Sequence, residues 1–360
     1  MMQNKERFGR TLTVLLALCS PLGGVLAQAT PELKAPSALM EPSILQKDVR
    51  EYDQLIAAIR QTGLRKQRAH IQVVMSALRP EVLQAAQSVP TVRRARFYLQ
   101  AATLLALARI GDPTVLPNLQ AVEAHLDPYF KENLLPVVKA RIYAEIRVPT
   151  PRTRAEWQEK STHFLEQAGI SLAEASKILE QYYDTSQQWP PENLLYAPRA
   201  VWALRQLAEM ATDAYASGVK DAFDVFSPIA AHLEKDYALW VRVQLGQRAS
   251  PERIQWLVNQ LAERGVETFE DRYLMQALAD CGEPAIPVIQ AKLEAQTASP
   301  SAKRVGISLL LKVLAIVEEP SATSLLERFA TVADEYIAQE ARSCLQRRLS
   351  GERATFVAWW

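Results

Sequence analysis

An all-α fold, an α-solenoid of stacked antiparallel helix pairs, follows from three features of the chain. One helix boundary recurs: Ala106-Leu107-Ala108-Arg109-Ile110-Gly111-Asp112-Pro113 returns as Ala277-Leu278-Ala279-Asp280-Cys281-Gly282-Glu283-Pro284, and more faintly as Leu314-Ala315-Ile316-Val317-Glu318-Glu319-Pro320. At such a corner Gly takes the left-handed conformation that ends one helix, Asp caps the next, and Pro suits the first helical position, where no N–H partner is required. The second feature is spacing: Gly246, Gly282 and Glu318 lie 36 residues apart, room for two helices of about 13 to 15 residues with short turns, the size of one solenoid repeat. The third is composition, since 12 glycines in 360 residues, abundant Ala and Leu and no sustained apolar–polar alternation leave little material for a sheet.

Taken in order, residues 1–29 have the three parts of an export signal. Lys5, Arg7 and Arg10 form the basic start, Leu12 to Leu18 the apolar run, and Ala27-Gln28-Ala29 the small-residue cleavage motif, which places the mature start at Thr30. The apolar run falls short of the ~20 residues that span a bilayer. Leu18 stands before Cys19 where a lipoprotein signal needs a small residue. The expected location is therefore exported, periplasmic or extracellular.

Residues 30–42, rich in proline and without an apolar face, read as a flexible leader. Residues 43–148 form the N-terminal helical repeats, with helices over Ser43 to Arg60, Leu64 to Leu78, Thr91 to Ile110, Pro113 to Leu126 and Lys131 to Ile146, all placing apolar residues at three- and four-residue spacing. Residues 149–198 hold divergent helices, Arg152 to Ala168 and Ser171 to Tyr183, the second opened by Ser171 and Glu174 as a capping box. They end in the longest irregular stretch of the body, Asp184 to Pro198, which carries Trp189, Pro190, Pro191 and Tyr196. Regular helix pairs follow over 199–350, and 351–360 form an aromatic tail.

The formal net charge is +1, and removal of residues 1–29, with three basic groups and Glu6, makes it slightly negative. That balance argues against a general nucleic-acid binder. The run Ile307 to Val317 contains Lys312 and is too short to span a membrane. Between Leu45 and Gly111, however, eleven basic side chains face only Asp48, Glu51, Asp53 and Glu81. Such asymmetry either steers an anionic partner to one end or ties neighbouring repeats together.

No cofactor, metal or catalytic residue is indicated. His70, His125, His163 and His232 are scattered singly, without the helical pair or cysteine cluster that zinc needs. There is no Gly-x-Ser-x-Gly elbow, phosphate-binding loop or reactive-cysteine signature. Cys281 and Cys344 fall on apolar stripes about two repeats apart, beyond the ~7 Å Cα separation of a disulfide, so both read as buried free thiols.

The corner motif resembles the short bacterial HEAT-like repeats, including those named after phycobilisome lyases. Arg94, Ala101, Ala106-Leu107-Ala108, Gly111-Asp112-Pro113 and Leu116-Pro117 carry the resemblance, as do Ala277-Leu278-Ala279, Gly282-Glu283-Pro284 and Ile286-Pro287. Asp334 to Ala341 looks like the second helix of a closing repeat. The resemblance implies an armadillo-like superhelix and transfers no catalytic residue, because its recurring positions serve packing and turns.

The expected function is that of an exported, non-enzymatic scaffold binding a protein or extended peptide, because stacked helix pairs make a long continuous surface. Trp189, Pro190, Pro191 and Tyr196 are the candidate partner-binding residues, aromatic anchors on a stiff loop. The alternative is a secreted helical-toroid enzyme acting on polysaccharide, with Asp127, Asp184 or Asp271 as candidate carboxylates. Nothing in the sequence sets such a pair at the roughly 5 to 10 Å that glycosidases require.

Overall fold

The computed structural model describes residues 49–89, 94–182, 196–246, 250–298 and 303–350. The export signal, the leader, the aromatic tail and the candidate residues Trp189, Pro190 and Pro191 lie outside the described residues. What is described is all-α: among these residues there are seventeen α-helices and no strand. In chain order they are α1 (Val49–Leu64), α2 (Ile71–Ser76), α3 (Pro80–Gln87), α4 (Ala95–Ile110), α5 (Leu116–Val122), α6 (Pro128–Asn133), α7 (Leu135–Arg147), α8 (Arg154–Ala168) and α9 (Leu172–Tyr182). Then follow α10 (Arg199–Ala216), α11 (Tyr237–Gly246), α12 (Ser250–Ala262), α13 (Asp271–Ala279), α14 (Ala285–Thr297), α15 (Arg304–Ile316), α16 (Pro320–Phe329) and α17 (Glu335–Ser350).

The repeated corners do much of what their residues call for. Gly111 and Gly282 both sit in the left-handed region, at φ 67° and 64°. Asp112 accepts from the Thr114 N–H at 2.9 Å and Pro113 opens the next turn. The second corner departs from this, because the Glu283 carboxylate accepts from the Ser321 hydroxyl at 2.7 Å instead of capping its own helix. The third has no left-handed residue: α15 stops at Ile316, and Pro320 starts α16 directly. Gly246 is not left-handed. It is the last residue of α11, and a side chain there would collide with the Phe223 ring.

Three expected helices are interrupted: Pro113 to Leu126 is a 3-10 turn, α5 and a second 3-10 turn, Lys131 to Ile146 is divided between α6 and α7, and Leu64 to Leu78 breaks at its start. α1 runs through to Leu64, and Lys66 at φ 49° ends it, so the segment expected from Leu64 becomes a 3-10 turn at Arg68–His70 and the short α2. Between α10 and α11, residues Ala222–Lys235 form a long 3-10 run around Pro228, whose missing N–H and whose ring, clashing with the carbonyl four residues earlier, disfavour an α-helix there. The capping box occurs at Thr153 and Glu156, whose side chains serve each other's backbone N–H groups. At Ser171 only the forward bond forms, from the Glu174 N–H to the hydroxyl at 3.1 Å.

The helices pack in two rows. One row runs α1, α4, α7, α10, α11, α13, α15, α17, each touching the next, and across the C-terminal half a second row runs α12, α14, α16. Contacts between alternate helices are what stacked helix pairs produce. The N-terminal core passes without interruption from Tyr52 to Val243, across residues 149–151. A second core begins in α11, which gives Leu239 and Val243 to the first and Val241 and Leu245 to the second. All described residues fall within one unit, Leu33–Trp360.

Candidate functional site

The charged side chains of the first row converge. Arg109, in the last turn of α4, grips Glu209 of α10 through Nη2 at 2.6 Å and Nε at 3.0 Å. Arg141 of α7 donates to the other edge of Glu209 at 2.6 Å and also to Gln206. Arg242 of α11 approaches Glu209 to 3.7 Å. At the end of α13, Asp280 takes a two-pronged contact from Arg60 of α1, at 2.6 and 2.5 Å, and a third bond from Gln276 at 3.0 Å. Arg65 reaches Glu318 at 3.4 Å and Lys66 reaches Asp213 at 2.7 Å. The row thus bends far enough for its first helix to clasp its sixth, 220 residues away in sequence.

These contacts place four of the eleven basic side chains of the N-terminal region. Arg60, Arg65, Lys66 and Arg109 are paired with carboxylates of the C-terminal half. The electrostatics follow from burial. Burial alone would raise the Glu209 carboxyl, but Arg109, Arg141 and Arg242 outweigh it and hold the group well below the usual carboxylate range. Asp280 is lowered in the same way, burial being overcome by Arg60. Arg242 is pulled down to about 10, by burial first and then by the like charges of Arg109 and Arg253, against the opposing pull of Glu209.

Beside this network lies a cavity of about 470 Å³ between α1 and the C-terminal repeats. α1 contributes Ile56, Ala57, Arg60 and Leu64, and the opposite wall has Arg253, Asp280, Cys281, Glu283, Ile316 and Glu319. The buried Nε of Arg253 meets no acceptor among the described residues. Arg141 and Arg264 also have a buried Nε without a hydrogen bond but form ion pairs, whereas Arg253 forms none among the described residues.

The sequence candidates fall elsewhere. Tyr196 packs tilted against Phe97 at 5.0 Å and edge-on to Tyr129 at 5.1 Å, under the Arg94 guanidinium at 5.2 Å, and remains 39% exposed. It is one face of an aromatic cluster whose Tyr129 hydroxyl donates to the Ala197 carbonyl and accepts from Trp202. Of the nominated carboxylates, Asp127 caps α6, Asp271 is buried against Arg264 at 2.8 Å, and Asp184 lies outside the described residues. Cys281 is half-buried and Cys344 buried, both as free thiols, and burial pushes Cys344 up to about 12. Among the described residues no group of His, Cys, Asp and Glu is arranged to hold a metal ion.

Sequence reasoning missed the charged network, although it left a trace. Arg109 and Asp280 occupy the same place, two residues before the corner glycine, in otherwise apolar Ala-Leu-Ala runs. A charge inside an apolar helix end calls for a buried partner, which here is Glu209 for Arg109 and Arg60 for Asp280. Compared with known proteins, the chain matches no family model, no curated protein and no solved structure.

Proposed function

We propose that this chain is an exported, non-enzymatic scaffold of HEAT-like helical repeats that binds a protein or extended peptide, with the cleft between α1 and the C-terminal repeats as its grip. The observation that carries this reading is Arg253, a guanidinium with no acceptor among the described residues, in the wall of a cavity built from both ends of the array. A buried cationic donor left without an acceptor costs stability, so its retention in a cleft favours a role in taking an external acceptor. The chemistry nearby suits binding better than hydrolysis: Glu209 and Asp280 are held ionised by guanidinium groups, the reverse of a proton-donating carboxyl, whose acidity must be weakened. Tyr196, already packed against Phe97 and Tyr129, contributes less as an anchor than its sequence setting suggests.

Selection of linear peptides from a displayed random library tests this directly. The full chain should yield a consensus, and Arg253→Ala should lose it while keeping the parent's helicity. The same consensus from both proteins would move the site away from the cleft, and failure of the full chain to enrich any sequence would refute peptide binding.

A further inference from the structure

The cavity has unmatched charges of both signs. Arg253 lacks an acceptor, while Glu319 on the same wall receives no side-chain hydrogen bond or ion pair among the described residues, and Glu283 receives only the Ser321 hydroxyl at 2.7 Å. Arg253 and Glu319 line one cavity of about 470 Å³ and form no ion pair with each other among the described residues. Among the other charges of the lining, Arg60 pairs with Asp280, Arg65 with Glu318, and Arg242 approaches Glu209.

From this we infer that the cleft holds a ligand combining one free carboxylate, bound by Arg253, with a neighbouring cationic group, bound by Glu319 and Glu283. That chemistry belongs to a peptide ending in a basic residue, or to a free basic amino acid, and it deepens the peptide-binding reading on which it rests. A guanidinium presents parallel donors that fit a carboxylate edge to edge, which makes Arg the suitable partner for such an end. The carboxylates beside Arg253 repel polyanions, so a nucleotide or polyphosphate is disfavoured on a wall that would welcome an ammonium or guanidinium. Size agrees: about 470 Å³ accommodates one or two residues, so an extended peptide places only its end inside. Ile56, Leu64 and Ile316 supply apolar wall for the methylene stem of a basic side chain. The like-charge crowding that lowers Arg242 is relieved by an anion seated at Arg253.

The test is calorimetric titration of the full chain with Gly-Gly-Lys, its C-terminal amide, Gly-Gly-Ala and free lysine. Gly-Gly-Lys should bind at least about tenfold more tightly than the amide and than Gly-Gly-Ala, as expected when a charged hydrogen-bond partner is removed. Arg253→Ala should erase the preference for acid over amide, and Glu319→Gln should reduce the preference for Lys over Ala while sparing the first. Bound Gly-Gly-Lys should also slow alkylation of Cys281, read by mass spectrometry at that residue, because its thiol borders the cavity. Free lysine binding as well as the tripeptide would identify a small-molecule ligand, and tripeptide binding alone would identify a chain end. Equal binding of acid and amide would overturn the inference while leaving peptide binding intact. No binding of any probe by a chain that still selects a library consensus would overturn it too. Arg253→Lys, which keeps the charge, guards against a folding defect: if it binds acid and amide as Arg253→Ala does, the lost fork is responsible.

Discussion

Glu209 shows how one residue holds several helices. Its two oxygens are shared by Arg109 and Arg141, with Arg242 close behind, so three helices besides its own depend on one carboxylate. Removing its charge leaves buried guanidinium groups uncompensated, which costs about 3 to 5 kcal/mol when a buried ion pair loses one partner. Glu209→Gln should therefore lower the melting temperature sharply at neutral pH. The pH dependence has a definite sign. The folded carboxyl is held below its unfolded value of about 4.3, so its contribution is fully present above that value and is lost as the pH falls towards the folded one. Asp280 acts in the same direction. Acid titration of stability should show the parent losing more between about pH 5 and pH 2 than Glu209→Gln does, and parallel curves would deny Glu209 this role.

At the scale of the element, the corner glycines separate what could be read from what could not. Gly111 was legible because its place between an apolar helix and Asp-Pro requires a residue that tolerates positive φ, and it has φ 67°. A Cβ there would also come within 2.7 Å of Glu145 Cγ. Gly111→Val should cost on the order of 1 to 3 kcal/mol, whereas Glu318→Val, at a corner with no left-handed residue, should cost far less in the same denaturation assay. Equal losses would show that the two corners share one geometry. Gly246 was misleading, since it has the right spacing but serves the close approach of Phe223. Local pattern fixes where a helix stops; it does not say which neighbour presses on its end. The break at Lys66 is a further example, because nothing in a lysine announces a φ of 49°.

For the molecule as a whole, the all-helical character was legible from composition and periodicity, but the site was not. Arg60 and Asp280, or Arg109 and Glu209, lie 220 and 100 residues apart in the chain. Their meeting depends on the accumulated bend of the whole row, a sum of small rotations between helices that no local window contains. The cleft exists because α1 returns to α13, so that contact is the claim on which the proposed grip depends. A double-mutant cycle on Arg60→Ala and Asp280→Ala, measured by denaturant unfolding of the full chain, tests it most directly. A coupling of about 0.5 to 3 kcal/mol is expected, the range for side chains in direct contact. Strict additivity of the two substitutions would contradict it.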